Sequence, residues 1–314
     1  MKIRITFLLV ILLLSVSGFS QVKFNSNIFG DLTARQIGPA VMSGRITAID
    51  GVNKEPNIVY VGSASGGLWK SITGGTLFKP VFDKYCQSIG AIAIDQNKPD
   101  IIWVGTGESN MRNSVSVGTG LYKSEDAGET WKFMGLENSE HISKIAINPE
   151  NSETVFVAVP GALWSDSEDR GLYKTTDGGK SWEKILYVNE KTGCADVLID
   201  PTNPETIYAS TWQFRRTPHS FSSGGEGSGL YKSLDGGLSW KRIDKQFSEG
   251  ELGRICIALC ASEPNKIYAI AESKKTALFV SSDGGENWKK NSTTSNVTAR
   301  PFYFSTIVVD PNDP

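Results

Sequence analysis

The 314-residue sequence predicts an all-β protein, a β-propeller built from four-stranded blades. Three observations carry that prediction. A short pattern, Ser/Thr-x-Asp-x-Gly-x-Thr/Ser-Trp, recurs five times at a near-constant period. Each period holds the same three short apolar runs, rich in β-branched and aromatic residues. Amphipathic-helix periodicity is almost absent. A repeat of ~40–50 residues with four strands is one propeller blade, and the strand-like composition excludes helical solenoids.

The aspartate pattern reads Ser124–Asp126–Gly128–Thr130–Trp131, Thr175–Asp177–Gly179–Ser181–Trp182 and Ser233–Asp235–Gly237–Ser239–Trp240 in its best copies. Ser281–Asp283–Gly285–Asn287–Trp288 loses the hydroxyl before the Trp, and Ser71–Thr73–Gly75–Leu77–Phe78 keeps only the skeleton. The aromatic positions 78, 131, 182, 240 and 288 stand 53, 51, 58 and 48 residues apart. Asp caps backbone N–H groups in a tight turn and Gly supplies backbone freedom. The Trp packs its large face into the blade. Asp126, Asp177, Asp235 and Asp283 are therefore expected to be structural, between the third and fourth strands.

Within each unit the first strand ends near Asp or Asn: Ile46–Asp50, Ala91–Asp95, Ile145–Asn148, Val197–Asp200, Ile257–Cys260 and Ile307–Asp310. A Pro- and Asn-containing turn leads to the second: Ile58–Gly62, Ile101–Gly105, Thr154–Ala158, Ile207–Ser210 and Ile267–Ile270. The third is Leu68–Ser71, Leu121–Ser124, Leu172–Thr175, Leu230–Ser233 or Leu278–Ser281. A fourth starts at each pattern aromatic. The chain thus holds five blades plus the start of a sixth, an incomplete ring. Leu32–Ile37 is expected to serve as an outer strand. The reading is of a propeller domain over 21–314, truncated at its C-terminal end and belonging to a longer protein.

Residues 1–20 read as a secretion signal: Lys2 and Arg4, then an apolar stretch, then Gly18-Phe-Ser20. A secreted or periplasmic protein without a membrane span follows. The net charge of −2, with no basic stripe, argues against nucleic acid. Cys256 and Cys260, about 13 Å apart along one strand, cannot pair, and buried free thiols are expected for the four cysteines. With two histidines and no metal-ligand spacing, no metal or cofactor is expected. Asn291-Ser-Thr and Asn296-Val-Thr match the glycosylation acceptor pattern.

The strand order places the variable loops on one face, the usual place for function on a rigid scaffold. Thr106–Gly118, Pro160–Arg170 and Thr211–Ser228 are its long loops. They supply Arg112, Asn113, Arg170, Trp212, Arg215 and Arg216 as ligand-binding candidates, with Asn110 and Trp164 beside them. Arg45, Arg254 and Arg300 precede inner strands and are expected at the channel mouth. Arg suits bidentate contacts to anionic or polar ligands, and Trp suits sugar stacking. The loop carboxylates Glu108, Asp166 and Glu226 are the catalytic candidates. A protein, peptide or glycan ligand is expected on this face.

The aspartate pattern, the run Gly66-Gly67-Leu68-Trp69-Lys70 and the loop Asp200-Pro-Thr-Asn-Pro204 resemble the Asp-box (BNR-repeat) propellers. Over roughly 31–314 the chain is similar to the N-terminal propeller of secreted bacterial proteins called sortilin-like or glycosyl-hydrolase-like. The resemblance implies a secreted protein- or glycan-binding module, with a polysaccharide-cleaving glycoside hydrolase as the alternative. Xyloglucanases of two propellers place a catalytic Asp in a Tyr-x-x-x-Asp-x-Gly-Gly run. Here Tyr60-Val-Gly-Ser-Ala64-Ser-Gly-Gly67 puts Ala64 at that position. Glycoside hydrolysis needs two placed carboxylates. Sialidases open with Arg-Ile-Pro, against Arg45-Ile46-Thr47 here.

Overall fold

The computed structural model describes residues 45–247 and 250–314. The expected leader and the strand Leu32–Ile37 lie outside them. The described chain forms five consecutive antiparallel sheets, each a four-stranded blade. Blade one is β1 (Ile46–Val52), β2 (Glu55–Ser63), β3 (Leu68–Ser71) and β4 (Lys79–Pro80). Blade two is β5 (Ile89–Ile94), β6 (Ile102–Thr106), β7 (Leu121–Ser124) and β8 (Lys132–Phe133). Blade three is β9 (Lys144–Asn148), β10 (Asn151–Val159), β11 (Gly171–Thr175) and β12 (Glu183–Leu186). Blade four is β13 (Thr192–Ile199), β14 (Ile207–Arg216), β16 (Gly229–Ser233) and β17 (Lys241–Arg242), with β15 (Phe221–Ser223) paired to β14. Blade five is β18 (Ile255–Leu259), β19 (Ile267–Ala271), β20 (Ala277–Ser281) and β21 (Lys289–Ser292).

Two expectations change. The second strand of blade four does not stop at Ser210. Thr211 to Arg216 continue it, and Phe214 to Arg216 pair with Phe221 to Ser223 in a hairpin. The cause is local: Thr-Trp-Gln-Phe alternates, and Trp212 and Phe214 turn inward to full burial. The run Ile307–Asp310 takes no strand pairing; instead Ser262 N donates to the Pro311 carbonyl at 3.0 Å. Two one-turn helices, α1 (Ser295–Thr298) and α2 (Pro301–Phe304), lead into it. All four cysteines are free thiols. No helix among the described residues is long and apolar enough to cross a membrane.

The aspartate turns repeat to within a few tenths of an ångström. Asp126 Oδ1 accepts from Ser124 Oγ and Thr130 N at 2.8 Å each, and Ser124 Oγ accepts from Gly128 N at 2.8 Å. Asp177, Asp235 and Asp283 repeat this set, with Asn287 Nδ2 replacing the hydroxyl at 2.7 Å in the last. These donors hold the carboxyls of Asp126, Asp235 and Asp283 down at about 2, and that of Asp177 lower still. In the first turn Thr73 Oγ1 does the work of the carboxylate, accepting from Leu77 N at 2.9 Å.

The pattern also joins blades. Trp131, Trp182 and Trp240 each donate Nε1 to a carbonyl of the preceding blade: Val81, Met134 and Ile185, at 2.7–3.0 Å. From the other side, third-strand lysines reach forward. Lys70, Lys174 and Lys232 donate to the turn carbonyls of Ala127, Gly236 and Gly284 at 2.8 Å each. Each ammonium also lies 5.5–5.6 Å from a second-strand ring, Tyr60, Phe156 or Tyr208. Between these latches, apolar clusters fill the space from blade to blade. One joins Tyr60, Leu68, Ile89, Ile102 and Trp131; another joins Tyr208, Leu230, Ile255, Ile267 and Trp288. Burying such side chains is worth about 1.5–3 kcal/mol each.

Candidate functional site

The loop face and the mouth of the channel between the inner strands form the candidate site. A pad of buried apolar groups supports it: Met111, Leu163, Ala195, Trp212 and Phe214. Trp212 and Phe214 lie ring to ring at 4.3 Å, and Trp212 Nε1 donates to Ser223 Oγ at 3.0 Å. Trp212 is fully buried, so it anchors the pad and presents no stacking surface. Trp164 is 45% exposed and is the Trp available to a ligand on this face.

The arginines divide by burial. Arg170 is fully enclosed and donates to the Pro160, Ala162 and Ser165 carbonyls at 2.6–3.3 Å. Its guanidinium lies 4.4 Å from the Phe214 ring, and burial pushes it down to about 10. Arg170 thus folds its own loop. Arg216 spans the Met111 carbonyl at 3.3 Å and Tyr303 Oη at 3.0 Å, over the Phe221 ring. Arg254 donates to Asn110 Oδ1 and the Phe302 carbonyl at 3.2 Å each, over Trp212. Arg215 is half-buried and paired with Asp166 at 2.9 Å. Arg112 is half-buried and Asn113 exposed. Arg300, the exposed N-cap of α2, holds a left-handed φ of 49°.

The carboxylates are equally unlike one another. Glu108 is 1% exposed and gripped by Arg45, whose Nε donates to Oε1 at 2.9 Å while Nη2 meets Oε2. Ser88 Oγ accepts from Glu108 N at 3.0 Å. Two glycines let residues 140–142 pack close beside it: a Cβ on Gly107 (φ +86°) would stand 1.9 Å from the Glu140 carbonyl, and one on Gly90 2.1 Å from the Ile142 carbonyl. His141 is fully buried beside Glu108 and Arg170; burial lowers it to about 4. Glu226 is exposed, and its carbonyl accepts from Arg242 at 3.3 Å. Ala64 is buried in the β2–β3 loop, its N–H donating to the Arg45 carbonyl at 2.9 Å.

Sequence reasoning passed over Lys144, Asp196 and Glu272. Asp196 lies at an irregularity of β13 and accepts from Val197 N at 3.0 Å and Ile257 N at 3.1 Å, tying blade four to blade five. Burial raises its carboxyl, against Lys144 and Arg254. Glu272 accepts from Arg254 N at 2.8 Å and Ser223 Oγ at 2.7 Å, and burial raises it too. The signals were a charged residue inside an apolar inner strand and, for Lys144, the position before the inner strand that Arg45 and Arg254 occupy in their blades. Among the described residues no group of three or more His, Cys, Asp or Glu could hold a metal ion.

Repeat and architecture together define the class: this is an Asp-box β-propeller. The BNR/Asp-box repeat model matches residues 279–290. The chain is 34% identical over 224 residues to a probable oligoxyloglucan-reducing end-specific xyloglucanase of Neosartorya fischeri, covering 65% of this chain and 24% of that protein. It is 22% identical over 303 residues to xyloglucanase Xgh74A of Acetivibrio thermocellus, covering 85% of this chain and 30% of that one. The chain thus spans a quarter to a third of the length of these curated relatives. An ancestral GH74 enzyme superposes with a TM-score of 0.63 at 19% identity, over 87% of this chain and 34% of that one. The GH74 xyloglucanase from Xanthomonas campestris gives 0.56 at 16% identity, over 87% of this chain and 50% of that one.

Proposed function

We propose that the chain is the glycan-engaging propeller of a glycoside hydrolase of the xyloglucanase type. The observation that carries the reading is the sequence likeness to xyloglucanases, up to 34% identity over 224 residues. The geometry supports a glycan on the loop face. Exposed Trp164 offers a ring for stacking, and the Arg215–Asp166 pair, Arg112, Asn113 and Glu226 offer polar edges that solvent reaches. An exported protein, as residues 1–20 suggest, is part of the proposal.

A specific observation favours binding without cleavage by this chain alone. Ala64 replaces a carboxylate, and Glu108 is committed to Arg45. The test is xyloglucan offered to the chain and to any longer natural form. Affinity electrophoresis measures retention, and a reducing-end assay measures hydrolysis. Retention weakened about tenfold by Trp164→Ala, with reducing ends released by a longer form, supports the proposal. Retention without release by any form leaves the binding module, and no retention at all refutes both.

A further inference from the structure

We infer that the channel mouth between Lys144 and Arg254 is a binding site for a small carboxylate with an aliphatic body. A cavity of about 440 Å³ opens here, walled by the inner strands of all five blades and by residues 303 and 306–308. That volume suits a small organic ligand.

Three charged residues stand on its wall: Lys144, Arg254 and Asp196. Arg254 is only 7% exposed, and its buried Nε has no hydrogen-bond partner. A buried guanidinium on the cavity wall favours an anion beside it. Lys144 is exposed at the rim, and no ion pair of the described residues uses it. Asp196 offsets one of the two cations at most, so the wall keeps a positive charge, and its oxygens are already engaged by the Val197 and Ile257 N–H groups.

The rest of the wall selects the body of the ligand. Ile46 and Ile49 are 50% and 68% exposed, Val308 is 92% exposed, and Ile92 and Ile257 complete an aliphatic lining. Two hydroxyls on the wall are already engaged. Thr47 Oγ1 donates to the Ile89 carbonyl at 2.7 Å, and Ser143 Oγ to the Ala158 and Cys194 carbonyls at 3.3 Å each. A branched alkyl chain would cover this exposed apolar surface, which a sugar acid would leave wet. Trp164 and Arg215 do not line this cavity, and the proposal does not depend on the glycan reading.

The experiment is calorimetric titration of the chain with 4-methylpentanoate, 4-methylpentanamide, glucuronate and inorganic phosphate. The carboxylate is expected to bind, with the amide, glucuronate and phosphate each at least about tenfold weaker. Lys144→Met, an exposed change, should weaken it by about threefold or more, and Arg254→Gln by about tenfold or more. Equal binding of the amide, glucuronate or phosphate overturns the proposal. So does an absence of carboxylate binding to the folded chain, or unchanged affinity in Lys144→Met.

Discussion

His141 makes the fold acid-sensitive in a defined window. Its imidazole is fully buried and neither ring nitrogen has a partner in hydrogen-bond geometry. Burial lowers its pKa from the ordinary 6.5 to about 4, with Arg170 adding to the effect and the Glu108 backbone opposing it. The sign follows from proton counting. The unfolded chain binds a proton near pH 6.5 and the folded chain only near 4. The neutral histidine therefore favours folding above 6.5, and that contribution is lost as pH falls through the window to 4. The full gap is worth roughly 3.4 kcal/mol at about 1.36 kcal/mol per pH unit. Between pH 7 and pH 5 the loss is about 1.8 kcal/mol. Urea unfolding of the wild type and His141→Leu at pH 7, 6 and 5 measures it. The variant should lose about 1.8 kcal/mol less than the wild type over that range. Equal losses in both proteins would refute the reasoning.

Two more perturbations probe the architecture. Trp182→Phe removes the donor that meets the Met134 carbonyl at 2.7 Å, and should cost about 1–2 kcal/mol. A melting temperature lower by about 2–4 °C in differential scanning calorimetry would match it. Gly107→Ala forces a Cβ against the Glu140 carbonyl and should destabilise by more than about 3 kcal/mol, read as lost soluble yield or an early urea midpoint.

The blades were legible in the sequence because their signals are local. The third strands Leu68–Ser71 and Leu121–Ser124 match the prediction end to end, since the turn pattern fixes where they stop. Even the degraded first turn folds like the rest, because a Thr73 hydroxyl can accept the same N–H. The site was less legible because its roles depend on distant partners. Nothing beside Arg170 in the sequence says that three loop carbonyls will surround it. Trp212 and Trp164 are alike in composition and opposite in exposure, and the difference arises from the hairpin that carries Trp212 inward.

The latches between blades lie at the aspartate turns, at the opposite ends of the strands from the variable loops. Cohesion at these latches therefore draws on residues other than those of the loop face. The β14–β15 hairpin illustrates the result: it adds a projection to blade four while Ile207 to Thr211 keep their register with Gly229 to Ser233. Loops on this face can lengthen, shorten or exchange without loosening the joints. Such a scaffold lets ligand preference drift over evolutionary time at little risk to folding, and it marks the more exposed stretches 112–117, 164–168 and 217–220 as the segments to graft or randomise in engineering new specificity.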